Sequence, residues 1–100
     1  MNSSQLINHL GLENSSLPNI EISGGKIDSR QVREGEIFFA FKGNNLDGNK
    51  FIDEAFKNGA SIVFTSDLSY VKNNRIIFVK NITKCLLKVA EFWLRDRNST

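Results

Sequence analysis

Residues 27–48 read IDSRQVREGEIFFAFKGNNLDG. Ile37-Phe38-Phe39-Ala40-Phe41 has the continuous apolarity of a β-strand covered on both faces, as in a parallel sheet with helices on either side. Arg33-Glu34-Gly35-Glu36 in front of it reads as a tight turn, with glycine where positive φ is tolerated. Gly43-Asn44-Asn45-Leu46-Asp47-Gly48 behind it forms a polar loop. Open α/β sheets bind ligands in such loops, beyond the carboxyl ends of buried strands, because backbone N–H groups point into the crevice there. Two glycines let backbone approach a ligand closely, Asn44 and Asn45 carry both donors and acceptors, and Asp47 is placed to cap a helix starting near Asn49. On these residues alone a plain strand-to-helix connection is an equal reading.

The flanks extend the alternation. Phe51, Ile52, Ala55 and Phe56 share one helical face, with Gly59 at the C-terminal capping position. Residues 61–65 form a strand, 67–74 a polar connection with one helical turn, and 75–79 another buried strand. A last helix, capped by Asn81 or Thr83, directs Leu86, Leu87, Val89, Ala90, Trp93 and Leu94 inward. On the N-terminal side, Leu6, Ile7 and Leu10 form a short helix behind a cap at Ser3 or Ser4, ended by Gly11. Residues 12–18 are loop-like. Short strands are expected at 19–23 and 26–29, separated by a Gly24-Gly25 turn. The expected fold class is α/β: a three-layer sandwich whose small mixed, largely parallel sheet is flanked by helices.

Composition narrows the functional classes. One hundred residues with 40% apolar and 24% charged content suit one domain. About 60 to 70% of the unfolded surface can be hidden at this size, so neither disulfide nor metal is needed for stability. A lone Cys85 excludes an internal disulfide and favours a reducing compartment. The 13 Lys and Arg are scattered among 11 acids for a net charge of +2, which argues against bulk nucleic-acid binding. No stretch reaches the ~18 apolar residues of a membrane span, and Asn2-Ser3-Ser4-Gln5 is no secretory signal. No nucleic acid or membrane partner is expected, and the expected location is the cytoplasm.

The run Asp28-Ser29-Arg30, Val32, Gly35, Ile37-Phe38-Phe39-Ala40, Lys42-Gly43, Asp47-Gly48, Phe51-Ile52, Ala55 and Gly59-Ala60 resembles the N-terminal domain of the Mur ligases. Their pattern is D-S-R, a V-x-x-G turn, an apolar strand ending A-x-x-G, then D-G-x-x-F and a G-A entering the next strand. The match runs from 27 to 64 without a gap, and the flanking helices bring nearly the whole chain under it. Two positions depart from the pattern. Asn49 stands where the family usually has histidine after D-G, so its contact must be made by an amide or be absent, and Glu34 stands where a proline commonly precedes the turn glycine.

The resemblance implies that residues 1–100 form a single domain holding the uridine diphosphate end of a UDP-N-acetylmuramoyl peptide. Ile27 and Ser29 would meet the uridine, and Asn44, Asn45 and Leu46 would form the loop against uridine and diphosphate, with Arg30, Asp47, Gly48 and Asn49 as further contact positions. It implies an ATP-dependent, ADP-forming peptidoglycan ligase of one of the two later kinds, adding the third residue or D-alanyl-D-alanine. The segment 86–97 (LLKVAEFWLRDR) resembles the helix ending in an aromatic and an arginine in the second kind, which is favoured. ATP and Mg²⁺ belong to the full-length enzyme, since no G-x-x-x-x-G-K-[ST] occurs in these residues. The family places that motif in a following central domain, against which this one packs. The 100 residues are therefore expected to end before the ATP-binding domain, to bind neither cofactor nor metal, to contain no catalytic residue and to catalyse nothing alone. A stand-alone UDP-binding module and a generic interaction domain are the other classes left open.

The remaining polar and aromatic residues have plainer readings. His9, on a short surface helix, has no second metal ligand near it in sequence. Cys85 reads as a half-buried structural thiol, and Trp93 as packing in the core or against a following domain. Asp53 and Glu54 diverge by ~100° on a helix and read as solvated surface. Arg30 either meets a diphosphate or holds its own turn beside Asp28, the second reading being ahead.

Overall fold

The computed structural model describes residues 1–12 and 17–98, with side chains described up to residue 95. Its order is α1 (Ser3–His9), β1 (Gly24–Lys26), a 3₁₀ turn (Ser29–Gln31), β2 (Glu36–Ala40), a 3₁₀ turn (Gly48–Phe51), α2 (Ile52–Lys57), β3 (Ile62–Thr65), a 3₁₀ turn (Leu68–Tyr70), β4 (Ile76–Phe78) and α3 (Ile82–Asn98). The four strands lie side by side in chain order. Each pairs with the next in parallel, in the registers Lys26 with Phe38, Phe38 with Val63 and Val63 with Ile76.

The two-residue period of β2 and β3 divides the core. Ile37, Phe39, Ile62 and Phe64 point to one face and pack against Leu6 and Ile7 of α1 and Cys85 and Val89 of α3. Phe38, Ala40 and Val63 point to the other, against Ile52 and Ala55 of α2 and Val32 of the β1–β2 connection. The result is the expected three-layer α/β arrangement, with every residue of β2 and β3 buried. The connections between strands thus pass over the α2 face, while the two chain ends cover the other.

Several local expectations change. Gly24 and Gly25 belong to β1, whereas 19–23 contributes only an isolated antiparallel bridge between Asn2 and Glu21. The sheet among the described residues is parallel throughout, so the mixed character expected of it reduces to such bridges. Both glycines lie under β2 side chains: a Cβ at Gly25 would stand 2.9 Å from the Phe39 ring. Ser29 starts a 3₁₀ turn instead of ending a strand.

Asn2, not Ser3 or Ser4, caps α1, accepting from the backbone N–H of Ser4 at 2.9 Å. Asn81 caps α3 by accepting from Lys84 N–H at 3.0 Å. Within α3, Leu87 and Leu94 are exposed, as is Ala90, so the inward face is narrower than six apolar positions suggest. Cys85 takes the inward place one position off. The loop expected at 12–18 falls partly on 13–16, which lie outside the described residues, as do the side chains of 96 and 97.

Candidate functional site

Because β1 and β2 are parallel neighbours, the segments leaving their carboxyl ends emerge on the same edge of the sheet. Ile27 follows β1 directly and is 62% exposed. Asp28 then caps the 3₁₀ turn, accepting from Arg30 N–H at 3.0 Å. The Arg30 guanidinium closes on the same carboxylate through Nε at 3.1 Å and Nη2 at 2.9 Å. Those hydrogen bonds hold Asp28 below the usual carboxylate range and raise Arg30 further. Arg30 therefore stabilises its own turn.

Ser29 is turned inward and is 5% exposed. Its hydroxyl donates to Glu54 Oε1 at 2.9 Å, and its carbonyl accepts from Asn58 Nδ2 at 2.9 Å. Glu54 and Asn58 are i and i+4 on α2 and its C-cap, so one helix face grips this turn twice. Glu54 is solvent-exposed, as its reading as surface required, but it carries a specific partner that sequence inspection missed. Asn58 was missed altogether. The only signal was their four-residue spacing.

Beyond β2 the chain folds back on itself. Gly43 N–H donates to the Leu46 carbonyl at 2.8 Å, and an antiparallel bridge joins Lys42 to Asp47. Asn44, Asn45 and Leu46 form the exposed tip of this turn, Leu46 at 66% exposure. Gly48 N–H donates to the Phe41 carbonyl at 2.7 Å, and a Cβ there would meet that oxygen at 2.8 Å. Only glycine fits so close an approach.

Asp47 and Asn49 anchor the base of the turn. Asp47 Oδ1 accepts from Asn49 N–H at 3.0 Å and from Asn49 Nδ2 at 2.9 Å. Asn49 is 2% exposed, and its Oδ1 accepts from the Thr65 hydroxyl at the end of β3. Thr65 Oγ1 accepts in turn from Asp67 N–H at 3.0 Å. Asp67 is held below the usual carboxylate range by the Ser69 hydroxyl and N–H, with Lys42 adding its positive charge. Asn49 thus faces the interior and braces the turn.

The structure brings the sequence-derived site residues to one sheet edge in two roles. Ile27, Asn44, Asn45 and Leu46 are solvent-facing, while Ser29, Asp47, Gly48 and Asn49 fix the backbone beneath them. A cleft of about 680 Å³ also meets Ile27, but it runs along the outer side of β1 between Gly25, Phe39, Val89 and Trp93 and does not include the 44–46 tip.

The solvent-facing set, with the side-chain amides of Asn44 and Asn45, suits a small polar ligand held by amide groups. The loop after β2 lacks the glycine, lysine and hydroxyl spacing of an ATP phosphate cradle, so these residues do not fit ATP and Mg²⁺. His9 packs against Phe92 with ring centroids 5.0 Å apart and the planes tilted by 45°. Among the described residues no three His, Cys, Asp or Glu side chains cluster as metal ligands, and no helix is long and apolar enough to cross a membrane.

The model of the "Mur ligase family, catalytic domain" matches residues 21–93. A UDP-N-acetylmuramoyl-L-alanyl-D-glutamate--2,6-diaminopimelate ligase of Rickettsia prowazekii (strain Madrid E) is 38% identical over 80 residues, covering 80% of this chain and 17% of the relative. Its namesake from Caldanaerobacter subterraneus subsp. tengcongensis is 36% identical over 83 residues, covering 82% of this chain and 17% of its own length. Among solved structures, the MurF ligase of Thermotoga maritima, in complex with ADP, superposes with a TM-score of 0.64 at 38% identity over 72% of this chain and 17% of that one. MurF from Acinetobacter baumannii reaches a TM-score of 0.70 over 86% of this chain and 19% of its own, at 21% identity, a likeness of fold. The chain therefore spans less than a fifth of the length of these relatives.

Proposed function

The chain belongs to the Mur ligase family, and on that premise we propose that it is the N-terminal domain holding the uridine diphosphate end of a UDP-N-acetylmuramoyl peptide. The observation that carries this reading is the pairing of two loops on adjacent parallel strands, both tied to α2 and the turn that opens it. Ser29 is held by Glu54 and Asn58, and the 43–46 tip is braced by Asp47 and Asn49. Exposed Ile27 and Leu46 offer apolar contact to a flat base, and Asn44 and Asn45 offer neutral donors to phosphate oxygens. Neutral amides need no basic patch, which accords with the net charge of +2.

The reaction proposed for the complete protein is ATP-dependent, ADP-forming amide synthesis in peptidoglycan precursor assembly, in the cytoplasm. Phosphoryl chemistry with ATP and Mg²⁺ falls to a central domain outside these residues, and this one positions the substrate. For the residue added, similarity is divided. The 86–97 segment and the Thermotoga structure favour D-alanyl-D-alanine, whereas 38% identity to the Rickettsia diaminopimelate ligase favours the third residue.

Calorimetric titration of the chain with UDP and, separately, ADP tests the site. Saturable binding of UDP with much weaker binding of ADP is expected. Equal affinity for both, or no heat from UDP at millimolar concentration, would refute the reading. The same preparation should release no ADP from ATP.

A further inference from the structure

Independently of the uridine diphosphate reading, we propose that a groove at the β4 edge of the sheet, the edge away from β1, docks an acidic amphipathic helix of a partner protein. The groove measures about 540 Å³ and is lined by the end of β4, the N-terminal half of α3 and the chain leaving α1. Its apolar floor comes from Leu10, Leu12 and Val79, which pack against the core, and from Phe78, 36% exposed at the end of β4. Its charged part is wholly basic. Lys80, Lys84 and Lys88 all line it, Lys84 and Lys88 one turn apart on α3 and Lys80 directly before the cap Asn81.

Cations are scattered among acids over the chain as a whole, but here they form a row. All three lysines are exposed, none makes an ion pair among the described residues, and no described acidic side chain lines the groove. Like charges four residues apart on a helix repel each other. Lys84 also sits in the first turn of α3, which holds no acid, so its charge opposes the positive end of the helix. The row therefore costs the isolated chain stability without internal relief, and an anionic partner supplies that relief.

The spacing of the row and the shape of the floor select the partner. Positions four apart on a helix repeat every ~6 Å along its axis, so carboxylates at i, i+4 and i+8 of a second helix laid along α3 meet the lysines in register. A single phosphate or carboxylate would meet only part of the row. The floor is concave and mainly aliphatic, which takes a ridge of leucine-like side chains in the manner of helix-in-groove recognition. A flat bilayer surface does not enter a concave groove, and nucleic-acid bases need aromatic stacking platforms, of which the described lining offers Phe78 alone.

The test titrates isotope-labelled chain with a synthetic helical peptide of about 18 residues, leucine at i, i+3, i+4 and i+7 on one face and glutamate at every fourth position along its flank. Saturable amide shifts are expected at Leu10, Leu12 and residues 78–88. Control peptides with glutamine for glutamate, or serine for leucine, should each bind about tenfold or more weakly to the same wild-type chain. The double variant Lys84→Glu/Lys88→Glu should lose a similar factor with a native amide spectrum, since both side chains are exposed. No shifts at millimolar peptide, shifts confined to other residues, equal affinity for the acidic and glutamine peptides, or unchanged affinity in a folded double variant would each overturn the proposal. So would shifts at these residues from phosphatidylglycerol vesicles or a single-stranded oligonucleotide with none from the peptide, which would give the groove to a membrane or a nucleic acid.

Discussion

Asn49 donates its side-chain amide to the Asp47 carboxylate at 2.9 Å from a position only 2% exposed. Its carbonyl oxygen takes the Thr65 hydroxyl, so one amide joins the base of the 43–46 turn to the end of the central strand β3. Asn49→Ala leaves both partners short of a hydrogen bond in a buried setting and should cost about 2 kcal/mol. Urea denaturation measures this. UDP affinity should also fall, because the turn loses its brace. An unchanged urea midpoint would mean that the amide does not hold this junction.

Asn49 is also where the sequence departs from the D-G-H pattern of the family it resembles. A histidine and an asparagine can each present a donor and an acceptor, and the position here faces Asp47 and Thr65.

Gly59 joins α2 to the turn before β2. Its φ is 110°, its carbonyl accepts from Gly35 N–H at 2.9 Å, and a Cβ would lie 2.7 Å from Glu34 Cα. Gly59→Ala combines left-handed strain with a clash against backbone and should cost about 3 kcal/mol or more. A thermal melt within a degree of wild type would contradict this packing.

Glu36 links stability to pH. Burial raises its pKa, but the hydrogen bonds from Lys26 Nζ at 2.6 Å and Arg33 N–H at 2.7 Å outweigh that, and the carboxyl ends below its ordinary value of 4.5. A lowered folded-state pKa adds stability above the unfolded value, and that stability is lost as pH falls through the folded one. Glu36→Gln should therefore be less stable than wild type at pH 7, by about 2 kcal/mol. The gap should close as pH is lowered below about 4.5, the unfolded value. A constant gap between pH 7 and pH 3 in urea titrations would contradict the assignment.

Cys85 is buried against the sheet, and burial pushes its thiol up to about 12 despite the charge of Lys88. Thiolate is the reactive form. Labelling by a disulfide reagent at pH 8 should be slower than that of an unfolded control by about a hundredfold or more. Rates within a factor of a few of the control would show the thiol to be accessible.

Legibility in the sequence followed periodicity. The strands expected at 37–41, 61–65 and 75–79 were visible, to within a residue at each end, because uninterrupted apolar runs mark strands covered on both faces. The Arg33 to Glu36 turn and the Gly59 cap were visible because glycine there has a conformational cause. Gly24 and Gly25 read as a turn for the same reason, but here glycine serves close packing under Glu36 and Phe39. The loops of the candidate site were legible as a motif. Their supports, Glu54, Asn58 and Thr65, were not, because contacts spanning 25, 29 and 16 residues leave no local pattern.

The account's central claim is that the two loops at the carboxyl ends of β1 and β2 act together as one uridine diphosphate site. Its most direct test is to titrate isotope-labelled chain with UDP and follow every backbone amide. The account expects saturable shifts, with one common Kd, at residues 27–29 and 43–46. Shifts confined to other residues, or none at millimolar UDP, would contradict it.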